Sequence, residues 1–339
     1  MRVIPCSPEE ISASWLSEVL GEQVDAVEVL DAHAGTTGRA VIELQGAGSL
    51  PKRLFVKLPP EDEQQRLFVT SSGMGQREAL FYRQLSSEVQ VRVPRCYYAD
   101  SNDSGDRYIM LLEDLSGSGC TFHNSKNHYS IDYIRRVLSA FARLHARYWE
   151  SSRFSADLGW VQPPLQHEIA VQLIGLALQR HREEMPPVFS QMAEYYLANT
   201  DRVHLLWKTG AATLIHGDVH DGNLFLDGGE PGFLDWALLA RGPGMRDVGY
   251  FLAGTLAPEH RGLARELIAE YRQQLLAAGC DAPALDELWL QYRQHVAYVW
   301  VGAVTTLAMG DAWQPTAYVL STLERIHAVM ESVETVAAF

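Results

Sequence analysis

Residues 213–236 read TLIHGDVHDGNLFLDGGEPGFLDW, and this stretch decides how the rest of the chain is read. Thr213–Ile215 is an apolar run entering a polar turn. NLFLD (223–227) and GFLDW (232–236) are short apolar segments flanking GGEPG, a pattern that predicts a β-hairpin. The midpoint between Asn223 and Asp235 is residue 229, in the middle of that turn. A symmetric hairpin would therefore set these two residues across from each other at its open end. Asp218, five residues before Asn223, would hang over the same spot from the preceding loop. Two carboxylates and an amide oxygen would thus converge from one short segment. Hard oxygen donors of this kind suit Mg²⁺, which takes one or two carboxylates together with phosphate oxygens and water. Asp235 would chelate the metal and Asn223 would give a second contact. Asp218 would be left to orient an attacking hydroxyl and accept its proton. Phosphoryl transfer depends on such positioning and charge neutralisation.

Complementary parts lie upstream. Segments 24–32, 41–44, 53–58, 91–99 and 107–115 read as strands, and 76–85 as a helix, giving a five-stranded antiparallel sheet with one inserted helix. Ser7, Pro8 and Glu10 predict a capped helix running to Leu20 and ending at Gly21. Lys57 sits inside the apolar strand LFVKL, one of only four lysines beside 24 arginines. A compact ammonium there can reach nucleotide phosphates, and Glu78 on the next helix can hold it by an ion pair. Gly35 and Gly38, in AGTTGRA (34–40), would let backbone approach phosphates closely.

A chain of 339 residues is too long for one ordinary core, so two lobes are expected. The polar, Gly/Ser-rich run SGSGCTFHNSKNH (116–128) sets the boundary, giving an N-terminal lobe of 1–115 and a C-terminal lobe of 116–339. The second lobe is mainly helical. DYIRRVLSAFARLHARYW (132–149) carries an apolar stripe at 3.6-residue spacing, and further helices fall near 165–200, 245–256, 260–278, 284–309 and 314–337. The net charge of −14 argues against nucleic-acid binding, which needs a basic surface. Cys6, Cys96, Cys120 and Cys280 are widely spaced, which predicts buried reduced thiols in a cytoplasmic protein rather than a disulfide or zinc framework. The apolar run 296–309 is too short for a membrane span and reads as a buried helix.

The order of parts is a Gly-rich loop, a strand lysine, a helix glutamate, an Asp-x4-Asn loop and an Asp after a hairpin. It resembles the protein kinases, with HGDVHDGN (216–223) in place of HRD-x4-N and LDW (234–236) in place of DFG. In that form it resembles the aminoglycoside phosphotransferase and choline kinase superfamily. EALFYRQL (78–85), LLEDL (111–115), FARLHARYW (141–149) and RDVGYFL (246–252) look closest to the ecdysteroid-kinase-like members.

The resemblance spans residues 30–255 and implies a bilobal, kinase-like α+β fold that binds ATP and Mg²⁺ and phosphorylates a hydroxyl-bearing small molecule. It implies that Asp218 is catalytic, that Asn223 and Asp235 ligate magnesium, and that Lys57 and Glu78 position phosphates. Met110–Leu115, with Glu113 and Leu115, would form a hinge whose backbone binds adenine. His216 and His220 would support the catalytic loop, and Asp247 would brace it. Neither the acceptor nor the oligomeric state is readable.

Two other classes compete. His216, Asp218 and His220 form an HxDxH pattern that a metal-dependent hydrolase could use, and a silent kinase-like binding module would keep the same parts. Trp289, Tyr292, Tyr298 and Trp300 could form a cation-binding box, although their helical spacing favours core packing.

Overall fold

The computed structural model describes residues 3–33, 37–46, 48–122, 129–165, 168–311 and 313–339. In chain order the elements begin with α1 (Ala13–Leu20), β1 (Ala26–His33), β2 (Gly38–Gln45), β3 (Arg53–Leu58), α2 (Glu63–Ser72), α3 (Met74–Gln84), β4 (Cys96–Ser101), β5 (Tyr108–Glu113) and β6 (Thr121–Phe122). There follow α4 (Ile131–Arg147), α5 (Glu168–His181), α6 (Pro187–Ala198), α7 (Thr200–Leu206), β7 (Ala212–Ile215), β8 (Leu224–Asp227) and β9 (Glu230–Phe233). The chain ends with β10 (Ala240–Pro243), α8 (Met245–Thr255), α9 (Ala264–Ala277), α10 (Leu285–Met309) and α11 (Thr316–Ser332). The chain divides into two compact units, one of residues 1–122 with 224–239, the other of 123–223 with 240–339. The hairpin β8–β9 thus groups with the N-terminal part, where the sequence reading draws a single cut after Leu115.

The first unit is built on a five-stranded antiparallel sheet in the order β1-β2-β3-β5-β4. Alternation sends Ala40, Ile42 and Leu44 of β2, and Leu54 and Val56 of β3, into one cluster with Leu16 of α1 and Ile109 and Leu111 of β5. The fully apolar run from Tyr108 to Leu112 is buried throughout, as expected for a strand covered on both faces. Helix α3 lies against β4 and β5.

Two local expectations change. Pro8–Glu10 forms only a 3₁₀ turn, and α1 starts later, where the Ser12 side chain accepts a hydrogen bond from the Trp15 N–H. The unanticipated α2 precedes α3; its start is capped by Asp62, but its sequence EQQRLFVTSS has little apolar periodicity, so two helices replace the one expected.

The hairpin pairs Leu224 with Phe233 and Asp227 with Glu230, turning on Gly228 and Gly229 at φ 57° and 90°. Two consecutive left-handed residues make a two-residue turn whose twist matches the strands. The ladder is therefore centred between the two glycines, half a residue before the expected centre, and it ends at Leu224–Phe233. Neither Asn223 nor Asp235 is part of it. Arg92 anchors the hairpin, with Nε on Asp227 at 2.7 Å, Nη2 on Glu113 at 2.8 Å and its carbonyl accepting from the Phe233 N–H at 2.9 Å.

The second unit is helical around the small β7–β10 ladder. In α4, Ile134, Val137, Leu138, Phe141 and Leu144 are buried, as their spacing predicts. In α10, Tyr292, Val296, Trp300 and Val304 recur at intervals of four and are likewise buried. Among the described residues, no helix is long and apolar enough to cross a membrane. All four cysteines are free, but only Cys280 is buried.

Candidate active site

In the first unit, β3 carries Lys57 opposite Arg39 of β2 and Met110 of β5. The ammonium is 4% exposed, lying 2.5 Å from Glu78 Oε2 and 3.2 Å from Asp235 Oδ1. Glu78 is fully buried on α3, and its other oxygen accepts the Trp236 N–H at 3.3 Å. Asp235 follows β9 at φ 58°, a left-handed conformation that Asp tolerates better than most residues. Arg77 Nη1 donates to the Ala237 carbonyl at 2.9 Å, and the Phe81 ring stacks on Trp236 at 4.1 Å. Residues 77, 78 and 81 face one way on α3, so a single helical face grips the turn after Asp235.

Two carboxylates share this one buried ammonium. Burial pushes Lys57 down, but Asp235 and Glu78 outweigh it and hold the lysine above its ordinary range. Burial pushes the Glu78 carboxyl up, to about 7, with Asp235 adding to the rise and Lys57 opposing it. Arg39 Nη2 lies 3.6 Å from Asp235 Oδ2. Arg39 is not among the sequence candidates, yet its pairing with Lys57 across adjacent strands puts both on one face.

In the second unit, β7 delivers the HGD turn. Gly217 sits at φ 86°, a conformation that favours glycine. Its N–H donates to Asp247 Oδ1 at 2.8 Å, and the His216 N–H donates to Oδ2 at 2.7 Å. Asp247 is fully buried at the start of α8 and also contacts His145 Nε2 at 3.3 Å; His145 in turn meets the Tyr271 hydroxyl at 2.8 Å. Burial would raise Asp247, but His145, His216 and the Gly217 N–H outweigh it and lower its pKa. The brace expected from Asp247 is thus a carboxylate holding two backbone N–H groups, with His145 as a partner the sequence reading missed.

Asn223 Nδ2 donates to the Asp218 carbonyl at 2.9 Å and to its Oδ2 at 3.2 Å. These bonds engage the amide nitrogen, and Oδ1 remains as a hard oxygen donor. The Asp218 N–H donates to His216 Nδ1 at 3.3 Å, and His220 Nε2 lies 3.7 Å from Asp218 Oδ2. Tyr250 lies one turn after Arg246 on α8, and burial together with the Asp218 carboxylate raises its phenol well above the ordinary range. Asp218, Asn223, His216, His220 and Asp247 are therefore together in one unit, and Lys57, Glu78 and Asp235 in the other.

The remaining candidates fare differently. Gly35 lies outside the described residues. A Cβ on Gly38 would meet the Pro59 carbonyl at 2.7 Å, so close backbone packing already accounts for that glycine. The Glu113 N–H is engaged by the Arg95 carbonyl, and the Leu115 carbonyl by Ser118. HxDxH does not assemble a shared site: His216 is fully buried, whereas His220 is half exposed with Nδ1 accepting from the Gly222 N–H. Among the described residues, no three His, Cys, Asp or Glu side chains are grouped to hold a metal. The aromatic box is dispersed as well. Trp300 is core, donating to His327 Nε2 at 3.2 Å, Trp289 faces Arg265, and Tyr298 faces Arg246.

No curated protein sequence matches the chain significantly. Solved structures match it over nearly its whole length. One is a Ralstonia eutropha protein assigned as an aminoglycoside phosphotransferase, at 16% identity and TM-score 0.58, covering 96% of this chain and 97% of that one. Another is the GDP complex of aminoglycoside 2′-phosphotransferase-IIIa, at 14% identity and TM-score 0.56, covering 94% and 96%. A third is the macrolide 2′-phosphotransferase MphH of Brachybacterium faecium, at 15% identity and TM-score 0.50, covering 93% and 95%. At such identities they establish the kinase-like α+β fold. The sequence pattern of the phosphotransferase enzyme family matches residues 34–295, three-quarters of the chain, from Gly35 and Lys57 through Asp247. The chain belongs to the phosphotransferase enzyme family.

Proposed function

We propose that this phosphotransferase moves the γ-phosphoryl group of ATP to a hydroxyl of a small-molecule acceptor, with Mg²⁺ as the metal. The observation that carries the reading is the buried Lys57 ammonium held between Glu78 and Asp235. A lysine enclosed with two carboxylates has little structural reason to exist, because a well-packed apolar trio is usually as stable. It makes sense where a cation must be fixed beside phosphate oxygens.

In this reading Lys57 steadies the nucleotide phosphates and Glu78 fixes Lys57. Asp235 and the Asn223 amide oxygen would hold the metal; both are hard oxygen donors, and Asp235 keeps part of its carboxylate open to solvent. The ion would neutralise developing phosphate charge. Asp218 receives the acceptor hydroxyl and takes its proton as the oxygen attacks in line. His216, His220 and Asp247 keep the Asp218 loop in register. The Met110–Leu115 segment, including Glu113 and Leu115, serves as the adenine-binding hinge, and Gly35 and Gly38 flank the phosphate loop. The likeness to ecdysteroid-kinase-like enzymes is the finer placement we favour, and four free thiols suit a reducing cytoplasm.

The test is a nucleotide-consumption screen with hydroxylated small molecules and Mg²⁺. Asp218→Asn is expected to lower kcat by about a thousandfold with nucleotide affinity nearly unchanged. Asp235→Ala is expected to weaken Mg²⁺-nucleotide binding as well. Near-normal turnover in Asp218→Asn would overturn the assignment.

A further inference from the structure

A small pocket in the second unit carries a charge pattern opposite to that of the chain. It holds about 60 Å³, and its polar wall is Tyr196, His204, Trp207, Lys208, Arg246 and Tyr298; the rest is apolar. Two of these side chains are cationic and, among the described residues, none of its lining is acidic, in a protein with net charge −14.

Arg246 is the unusual member. It is 5% exposed, and its Nε is enclosed with no hydrogen-bond partner. Among the described residues no carboxylate pairs with it, and none of the residues outside the description is Asp or Glu. Its guanidinium carbon lies 3.5 Å from the centre of the Tyr298 ring. A stacked tyrosine covers one face of a guanidinium but satisfies none of its N–H groups. An unpaired buried charge is costly, and structural arginines in such places nearly always have an acidic partner. The neighbouring imidazoles do not supply one. Burial and the charge of Arg246 hold His295 well below its ordinary range, and His204 is lowered by burial, Lys208 and Arg246.

The pocket is tied to Asp218 by two short links. The Tyr298 hydroxyl donates to the Gly217 carbonyl at 3.3 Å, one residue before Asp218. Arg246 sits one turn before Tyr250 on α8, whose phenol feels the Asp218 charge. A group held by Arg246 is thus anchored on the helix and ring that also border the turn carrying Asp218.

We infer that the acceptor carries an oxyanion, a carboxylate or a phosphate ester, which Arg246 binds by its guanidinium edge while the acceptor hydroxyl extends to Asp218. The planar fork matches either group bidentately. A volume of about 60 Å³, roughly that of two waters, fits one such group rather than a whole ring system. The inference rests on the phosphotransfer reading above and names its substrate class. It sets this protein apart from acceptors that are themselves polycations, which a doubly cationic pocket would repel.

The test uses the whole 339-residue chain and three probes built on a four-carbon backbone: 4-hydroxybutyrate, its methyl ester and 4-amino-1-butanol, which carry one negative charge, none and one positive charge. Calorimetric binding reads the pocket, and nucleotide consumption reads the chemistry, so failure of phosphotransfer alone leaves the binding result standing. Glycerol 3-phosphate, as a fourth probe, separates a phosphate from a carboxylate preference. An anionic probe should bind at least about tenfold more tightly than the neutral and cationic ones, and Arg246→Gln should remove that advantage while Arg246→Lys keeps part of it. Ester or amine binding as tight as the tighter anionic probe would overturn the inference on the unaltered protein, whatever the fate of the variants. So would a folded Arg246→Gln that binds that anion within twofold of the parent.

Discussion

Removing both partners of the Lys57–Glu78 pair should cost no more stability than removing either one alone. The charges are 2.5 Å apart, with Lys57 at 4% exposure and Glu78 at none. At that distance their attraction is about 7 kcal/mol for an effective dielectric near 20, much of it offset by the desolvation of each ion. Lys57→Met leaves the Glu78 carboxylate buried without its ammonium. Glu78→Gln must set an amide NH₂ against either the lysine or the Trp236 N–H. Each single change is expected to cost about 3–5 kcal/mol, and the double variant about the same as one of them, giving a coupling of about 3 kcal/mol.

The Lys57→Met cost should also depend on pH. Glu78 already titrates near 7 in the folded chain, above the usual carboxylate value, and loss of Lys57 removes what restrains it. A carboxyl raised in the folded state binds protons more readily there than when unfolded, so stability falls as pH climbs through that window. Lys57→Met should therefore be less destabilised at pH 6 than at pH 8. Urea unfolding of the four proteins at both pH values supplies the cycle. Additive single and double effects, or a Lys57→Met cost that does not grow with pH, would refute the reasoning.

Two further outcomes follow from burial elsewhere. A Cβ on Gly232 would lie 2.2 Å from the Phe225 ring, which is fully buried, so Gly232→Ala should destabilise the hairpin by about 2–3 kcal/mol in the same unfolding assay. His327 accepts from Trp300, and burial lowers its pKa to about 4, so the folded chain resists a proton that the unfolded chain takes up near 6.5. Stability should fall as pH drops from about 6.5 toward 4, by up to about 3 kcal/mol from this group, and His327→Gln should flatten that slope in a pH series of melting curves.

The legible parts were those written in short-range chemistry. The strand run LFVKL, the Gly-Gly turn and the spacing of α4 fixed their elements because burial and left-handed turn residues act locally. The pairing of Lys57 with Glu78 was also foreseeable, since a lone lysine in an apolar strand demands a counter-charge. The grip of Arg77 and Phe81 on residues 236–237 was not, because it joins positions some 155–160 apart in sequence. The same holds for His145 meeting Asp247. Helix α2 escaped because its polar face pattern gives no period, and Arg246 escaped because an arginine beside a motif aspartate reads as an ordinary surface residue until its burial is known.

The hold of α3 on the turn after Asp235 has a mechanical side. Arg77 holds the Ala237 carbonyl, Glu78 the Trp236 N–H and Phe81 the Trp236 ring, while Glu78 simultaneously fastens the lysine of β3. Turning the helix by a single residue, about 100° about its axis, would release all of these at a stroke. Lysine and aspartate are consequently set or unset as a pair, and a state with just one of them seated has no support from this helix.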